Sequence, residues 1–427
     1  MSKVAYIYPL EMPIDVKVTV PGSKSFTNRA LIIASLAEGT TTLSGVSDAN
    51  DSVILISLLK KLGVEIQSNG DIIIVKGNGG KFNPFSGELD AEDAGSVMRF
   101  LSALCCIIPG EILLKGSERM HQRPIQGLVD ALKQMGAKIT YIEKEGFPPI
   151  KIQSGNYTGG VIHIDASLSS QFVSALLMVA PMFPKDTEII CDGELVSLPY
   201  IDMTLSVMAH FGVEVKHETY KRYLIKSNQK YKAKDYKIEG DASSASYLLA
   251  LAAISGSTVE VTNLSSESIQ SDAKFADILE NMGCKVNRGK SISVTGTPHL
   301  KAIEVDMNGM PDTAQTLSIV AAFAKGETLI TGLSTLQHKE TNRLKALRME
   351  LSKLHINSKA DDNSICISGA NPKGAYIDTY DDHRMAMAFA IVGARTEVSI
   401  YSPDVVKKSF PGYWNTLKSM GVNVEIE

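Results

Sequence analysis

The chain has 427 residues, 44% hydrophobic and 21% charged, with a formal net charge of −4. That length allows two or three domains with sizeable cores, and the composition is ordinary for a soluble globular protein. The negative balance argues against a nucleic-acid binder, though not against a locally cationic cleft.

The first residues carry Lys3, Glu11, Asp15 and Lys17 and have no continuous apolar run, so no signal peptide is expected. The longest apolar stretch, Phe172 to Phe183, is too short to cross a bilayer and contains Pro181. Cys105, Cys106, Cys191, Cys284 and Cys366 show no CxxC and no regular framework. A reduced, cytoplasmic protein is the expectation, with no membrane partner.

In chain order, the first helix start is Pro21-Gly22-Ser23-Lys24-Ser25-Phe26-Thr27-Asn28-Arg29, running into the apolar segment Ala30 to Leu36. Breakers, then cap oxygens, then a 3.6-period apolar run predict a helix start. Lys24, Ser25 and Arg29 then sit where backbone N–H groups and the helix dipole already favour anions. The same arrangement recurs at Asp93-Ala94-Gly95-Ser96, Ser169-Ser170-Gln171, Ala242-Ser243-Ser244, Pro311-Asp312-Thr313 and Asp381-Asp382-His383, in steps of 69 to 75 residues. A second polar helix start follows in each copy: Asp48 to Asp51, Gln122-Arg123-Pro124, Ser197-Leu198-Pro199-Tyr200, Gln270-Ser271-Asp272, Lys339-Glu340-Thr341-Asn342-Arg343 and Lys407 to Pro411. Pro124, Pro199 and Pro411 suit a first helical turn.

Each second helix ends in a short motif: KKLGVEI (Gly63), KQMGAKI (Gly136), AHFGVEV (Gly212), ENMGCKV (Gly283), SKLHINS (His355) and KSMGVNV (Gly421). Glycine there fits the left-handed position after a helix. In most of the first five copies a turn and another strand follow, as before IIIVKG, the strand ending KIQSG, SISVTG and ICISG, which reads as a hairpin. Six copies of β-α-β-α-β-β result. That period is too long for a solenoid and too short for a large domain, so three copies should pool their helices into one core, twice. The polar run Asn228 to Asp241 lies between copies three and four and reads as a linker or a solvated strand edge.

If the helices of a domain run parallel, their starts converge at one end. Two domains facing through those ends would form a cleft holding Lys24, Arg29, Arg123, Lys339, Arg343, Arg384 and Lys408, able to take two polyanions. Asp312 and Glu340 are the acid–base candidates; each also suits a helix start, Asp312 as a cap and Glu340 against the dipole. His383 is either a donor or structural. There is no G-x-x-x-x-G-K-[ST], no H-E-x-x-H and no Cys/His cluster, so neither a cofactor nor a metal is implied.

The motifs PGSKSFTNRA, DAGSVMR, RPIQGLVDAL, SSQFVSALLMVAP, PYIDMT, MPDTAQT, KETNRL, DDHRMAMAFA and KKSFPGYW, in this order, resemble the EPSP synthases (3-phosphoshikimate 1-carboxyvinyltransferases) over essentially the full length. The resemblance implies a two-domain inside-out α/β barrel with three repeats per domain. Residues 21–238 would form one domain, and 1–20 with 239–427 the other, joined by two crossover strands. It implies transfer of the enolpyruvyl group of phosphoenolpyruvate to the 5-hydroxyl of 3-phosphoshikimate, in the shikimate pathway to chorismate and aromatic amino acids, by a monomer.

By resemblance, Asp312 is the base, and Glu340 the proton donor, a role Lys24 can share. Lys24, Ser25, Arg29, Ser169, Ser170, Gln171, Ser197, Tyr200, Asp312 and Lys339 bind 3-phosphoshikimate. Lys24, Gly95, Arg123, Gln171, Arg343, His383, Arg384 and Lys408 bind phosphoenolpyruvate, and glyphosate would displace it beside Gly95. Asp93, Phe100 and Thr335 depart from residues common in that family, namely Asn, Pro and Asn. The nearest alternative, UDP-N-acetylglucosamine 1-carboxyvinyltransferase, has Lys-Asn where this chain has Lys24-Ser25, and a loop Cys that Lys115 to Arg123 lacks.

Overall fold

The computed structural model describes residues 3–154 and 157–427. Contacts cluster into two compact units: Gly22–Ile238, the first unit, and Glu239–Glu427 with the described residues up to Pro21, the second. In chain order the helices of the first unit are α1 (Lys24–Leu36), α2 (Asn50–Lys61), α3 (Gly95–Cys105), α4 (Gln126–Gln134), α5 (Ser170–Val179) and α6 (Pro199–His210). Those of the second are α7 (Ala242–Ser255), α8 (Phe275–Asn281), α9 (Ala314–Ala322), α10 (Arg343–Lys353), α11 (His383–Ala390) and α12 (Tyr413–Ser419).

The third copy shows the motif complete. Gly160–Asp165 leads into α5, and Thr187–Asp192 returns parallel to it. After α6, the hairpin Val215–Glu218 and Arg222–Ile225 adds two antiparallel strands. Copies two and five build the same sheet from their own strands. The other three copies borrow one. Tyr236–Lys237 completes the first sheet beside Glu38–Ser44. Asp15–Val18 completes the fourth beside Thr258–Val261. In the sixth, Val4–Ile7 fills the last hairpin position between Val398–Tyr401 and Val424–Ile426. Among the described residues, six four-stranded sheets result.

Helices lie inside and sheets outside. α1, α3 and α5 are apolar nearly all round and pack on one another, as do α7, α9 and α11. The strands alternate: Gly160–Asp165 buries Ile162 and Ile164 and exposes Val161 and His163, so one face of the sheet meets the helices and the other meets water.

All six residues after the second helices have positive φ: Gly63 (90°), Gly136 (95°), Gly212 (88°), Gly283 (106°), His355 (61°) and Gly421 (93°). The left-handed position is a requirement of the motif, and in copy five a side chain is tolerated there. Two of the three prolines expected in first turns stand elsewhere: Pro199 opens α6, but Pro124 and Pro411 each precede their helix by two residues. Of the strand ending KIQSG, Ile150–Gln153 is observed and Gly155 lies outside the described residues. The polar run before Asp241 is part strand, Tyr236–Lys237, and its end is tied to the other chain crossing by Asp241 N–H donating to Pro21 O at 2.9 Å.

Candidate active site

In the first unit the opening motif works in two directions. Ser23 caps α1, and Lys24 begins it. Lys24 Nζ lies 3.2 Å from Asp51 Oδ2, in the first turn of α2. Ser25 is half-buried beside it. The next polar residues turn inward. Thr27 Oγ1 accepts from Ser47 N, while Asn28 donates to Ser96 Oγ at 2.9 Å and accepts from Ser52 Oγ at 2.9 Å, joining α1 to the starts of α3 and α2.

Arg29 is buried. Its Nε donates to Thr204 Oγ1 (2.7 Å), Nη1 to Ser25 O (2.9 Å), and Nη2 to Tyr200 O (3.0 Å) and Ser174 Oγ (3.4 Å). The ring of Phe100 faces its guanidinium at 5.4 Å. These partners are all neutral, so burial pushes Arg29 down to about 10, still protonated at neutral pH. Arg29 thus ties α1, α5 and α6 together from beneath their starts.

Gly95 begins α3 against Arg123: a Cβ at Gly95 would stand 2.7 Å from Arg123 Nη2 and 2.8 Å from Nη1. The absent side chain is what lets the guanidinium lie there. Arg99 fixes this junction, donating to Gly95 O at 3.3 Å and to Pro124 O at 2.9 Å. Asp93 accepts a hydrogen bond from Ser117 Oγ, and Ser117 Oγ in turn accepts from Met120 N at the start of the short 3-10 turn before Arg123. Ser169 caps α5, accepting from Gln171 N, with Ser170 buried and Gln171 half-buried. Ser197 is buried with a left-handed φ of 55°, immediately before α6 and Tyr200.

The second unit solves the same problem with carboxylates. Asp312 does not cap α9; it lies in a 3-10 turn, Pro311–Thr313, where Arg384 Nη2 (2.9 Å), Arg343 Nη1 (3.2 Å) and Lys339 Nζ (3.4 Å) surround it. Glu340 precedes the cap of α10, Asn342, and accepts from Arg343 Nη2 at 2.7 Å, with Lys408 Nζ at 3.8 Å.

Arg343 is 1% exposed and donates through Nε to Asp382 Oδ2 at 2.7 Å. Burial would lower its pKa, but Asp382, Glu340 and Asp312 more than reverse this and hold it above the ordinary value. Asp382 caps α11 by accepting from Arg384 N, and His383 is buried beside it. Arg384 Nη1 also meets Tyr247 Oη at 3.2 Å; burial raises that phenol to about 12 against the pull of Arg384. Thr335 is buried in the 3-10 turn before Lys339.

Lys24, Ser25, Arg29, Ser169, Ser170, Gln171, Ser197, Tyr200, Gly95 and Arg123 therefore all stand at or just before helix starts of the first unit, or one turn in. Asp312, Lys339, Glu340, Arg343, His383, Arg384 and Lys408 do so in the second. Sequence reasoning missed Thr27, Asn28, Arg99, Asp382 and Tyr247. Thr27 and Asn28 had one signal, polar residues leading an otherwise apolar helix; Arg99 and Tyr247 had none, because Pro124 and Arg384, the partners that tie them to the other helix starts, lie 25 and 137 residues away.

A family model described as EPSP synthase (3-phosphoshikimate 1-carboxyvinyltransferase) matches residues 11–417. The 3-phosphoshikimate 1-carboxyvinyltransferase of Sulfurovum sp. (strain NBC37-1) is 46% identical over 415 residues, covering 95% of this chain and 97% of that protein. That of Klebsiella pneumoniae (strain 342) is 44% identical over 410 residues, covering 95% and 96%. Among solved structures, EPSP synthase from Acinetobacter baumannii superposes with a TM-score of 0.86 at 24% identity, covering 100% of both chains. The enolpyruvyl transferase NikO from Streptomyces tendae gives 0.81 at 15%, covering 100% of this chain and 99% of that one. At those identities the two structures speak to the fold alone.

Proposed function

The chain belongs to the EPSP synthase (3-phosphoshikimate 1-carboxyvinyltransferase) family, and we propose that its two sets of helix-start residues divide that family's reaction between them. The enzyme moves the enolpyruvyl group of phosphoenolpyruvate to the 5-hydroxyl of 3-phosphoshikimate and releases phosphate. In our reading, Lys24, Ser25, Arg29, Ser169, Ser170, Gln171, Ser197, Tyr200 and Lys339 hold 3-phosphoshikimate. Lys24, Gly95, Arg123, Gln171, Arg343, His383, Arg384 and Lys408 hold phosphoenolpyruvate. The observation that carries the chemistry is the pair of carboxylates, Asp312 and Glu340, set among four cations of one unit.

Asp312 takes the proton of the 5-hydroxyl as its oxygen attacks C2 of phosphoenolpyruvate. Glu340, with Lys24 sharing the role, delivers a proton to the methylene carbon. The tetrahedral adduct then expels phosphate while its methyl carbon returns one proton to the Glu340 carboxylate, and the double bond re-forms. No covalent bond to the protein is needed; the work is orientation and charge stabilisation. Substrate phosphate and carboxylate groups compete for the same cations that hold Asp312.

Besides its place in the 3-phosphoshikimate set, Arg29 fixes Ser25 and Tyr200, since most of its donors are committed to carbonyl and hydroxyl oxygens. We read the enzyme as a cytoplasmic monomer, as its family resemblance implied. The deciding assay mixes the protein with phosphoenolpyruvate and either 3-phosphoshikimate or UDP-N-acetylglucosamine and measures phosphate. Release with 3-phosphoshikimate alone is expected, and silence there removes the reading.

A further inference from the structure

Helix α10 places two charged side chains seven residues, or two turns, apart on one face: Arg343 and Glu350. Arg343 holds Asp382. Glu350 takes no part in the reaction described above and is fully buried. Its Oε1 accepts from Tyr380 Oη at 2.6 Å; its Oε2 accepts from Asp378 N at 3.0 Å and pairs with Lys353 Nζ at 2.7 Å. Lys353 reaches on to Asp378 Oδ2 at 2.8 Å.

One helix face therefore grips the segment 378–382 at both ends, and that segment is backbone-strained. Asp382 N–H donates to Thr379 O at 2.9 Å, closing a turn whose two central residues, Tyr380 and Asp381, both have φ of 54°. Two successive positive φ values are the pattern of a type I′ turn, which ordinarily takes Asn-Gly. Here neither central residue is glycine. Such a turn persists only where its surroundings over-determine it. Burial and the bond to Glu350 both raise the Tyr380 phenol, so it stays a neutral donor to that carboxylate.

The residue that leaves the turn is Asp382, which caps α11 through Arg384 N and holds Arg343. We propose that Glu350 and Tyr380 are positioning residues for the transfer reaction. They hold the left-handed turn, the turn sets Asp382, and Asp382 sets the Arg343 guanidinium directly and Arg384 through its backbone N–H at the start of α11, the two arginines that receive phosphoenolpyruvate. The inference rests on the assignment of those two arginines made above.

The test uses the full-length enzyme, assayed well below each variant's melting temperature, with separate KM values for the two substrates. Tyr380→Phe and Asp381→Val are expected to raise KM for phosphoenolpyruvate on the order of five- to tenfold and leave KM for 3-phosphoshikimate within about twofold. Asp381→Gly, which suits a positive φ, should keep parental KM values. Arg343→Lys serves as the control on the arginine assignment. If it raises KM for phosphoenolpyruvate while Tyr380→Phe and Asp381→Val do not, the positioning role is overturned and the site reading stands. If Arg343→Lys leaves that KM unchanged, the site reading falls and this inference falls with it. A loss in Asp381→Gly equal to that in Asp381→Val also overturns it, because the turn geometry would then not be what matters.

Discussion

Arg29 and Arg343 occupy comparable places, each buried at or within two turns of a helix start, yet they are held in opposite ways. Arg29 rests on hydroxyls, carbonyls and a phenyl ring, and burial lowers its pKa to about 10. Arg343 is gripped by three carboxylates, which hold its pKa above the ordinary value. A buried guanidinium can thus be satisfied by hydrogen bonds without charge compensation, at an electrostatic cost, or by compensation at the cost of burying anions. The first leaves a positive field at the helix starts of its unit. The second gathers carboxylates among cations, where we propose that proton transfer takes place.

The largest expected effect tests the chemical half of that contrast. Asp312→Ala should lower kcat about 10²–10⁴-fold. It should barely move the melting temperature, because Arg343 keeps Asp382 and Arg384 keeps Tyr247. Turnover within tenfold of the parent would place the base elsewhere.

Next come the two arginines' supports. Asp382→Asn leaves the fully buried Arg343 short of a charge, which should cost about 3–5 kcal/mol in denaturant unfolding of the second unit. Arg29→Met strands only neutral oxygens, so about 1–3 kcal/mol is expected in the first. Equal losses would erase the distinction between the two solutions.

A pH series sharpens it further. Asp272 is raised to about 6 by burial first and then by Asp312, with the Ser243 hydrogen bond and Arg384 opposing and Asp241 adding to the rise. Its native value lies above its unfolded value of 3.8, so only the native state holds the proton between about pH 4 and 6. The contribution to stability is therefore full below about pH 4 and is lost as pH rises through 6. Asp272→Asn should flatten that fall in an unfolding midpoint measured from pH 4 to 7; an unchanged slope would show that Asp272 does not titrate there.

The smallest effect belongs to Gly95→Ala. The added methyl meets the mobile end of Arg123 rather than backbone, so that side chain can yield. A rise of a few-fold in KM for phosphoenolpyruvate, with little change in kcat, is expected. No rise would mean that Arg123 binds the substrate from another position.

Much of the architecture was legible because it is local. A left-handed residue after each second helix and a polar start before each first helix recur at near-constant spacing, so six copies could be counted without any three-dimensional knowledge. Strand exchange was legible only through the family resemblance, which put residues 1–20 with 239–427, and not in the residues themselves. Asp15–Val18 has the same character as any outer strand, and nothing in its residues says that its neighbour is Thr258–Val261. In the site, the charged residues at helix starts stood out. Their roles did not: Asp312 has the setting of a cap yet faces three cations, and Arg29 sits in a ligand motif yet turns inward. Both outcomes are decided by side chains more than 20 residues away.

The borrowed strands also bear on how the chain is made. All three sheets of the first unit are complete once Lys237 has been synthesised, so that unit can fold while translation continues. The second cannot. Val4–Ile7 is made roughly 420 residues ahead of its partner Val424–Ile426. At ordinary elongation rates the early strand waits on the order of 20–80 s for its neighbour. Through that interval Ala5 and Ile7, fully buried in the finished fold, have no sheet to enter. A nascent chain stalled after Lys237 should therefore resist proteolysis across Gly22–Ile238 while remaining open to cleavage ahead of it.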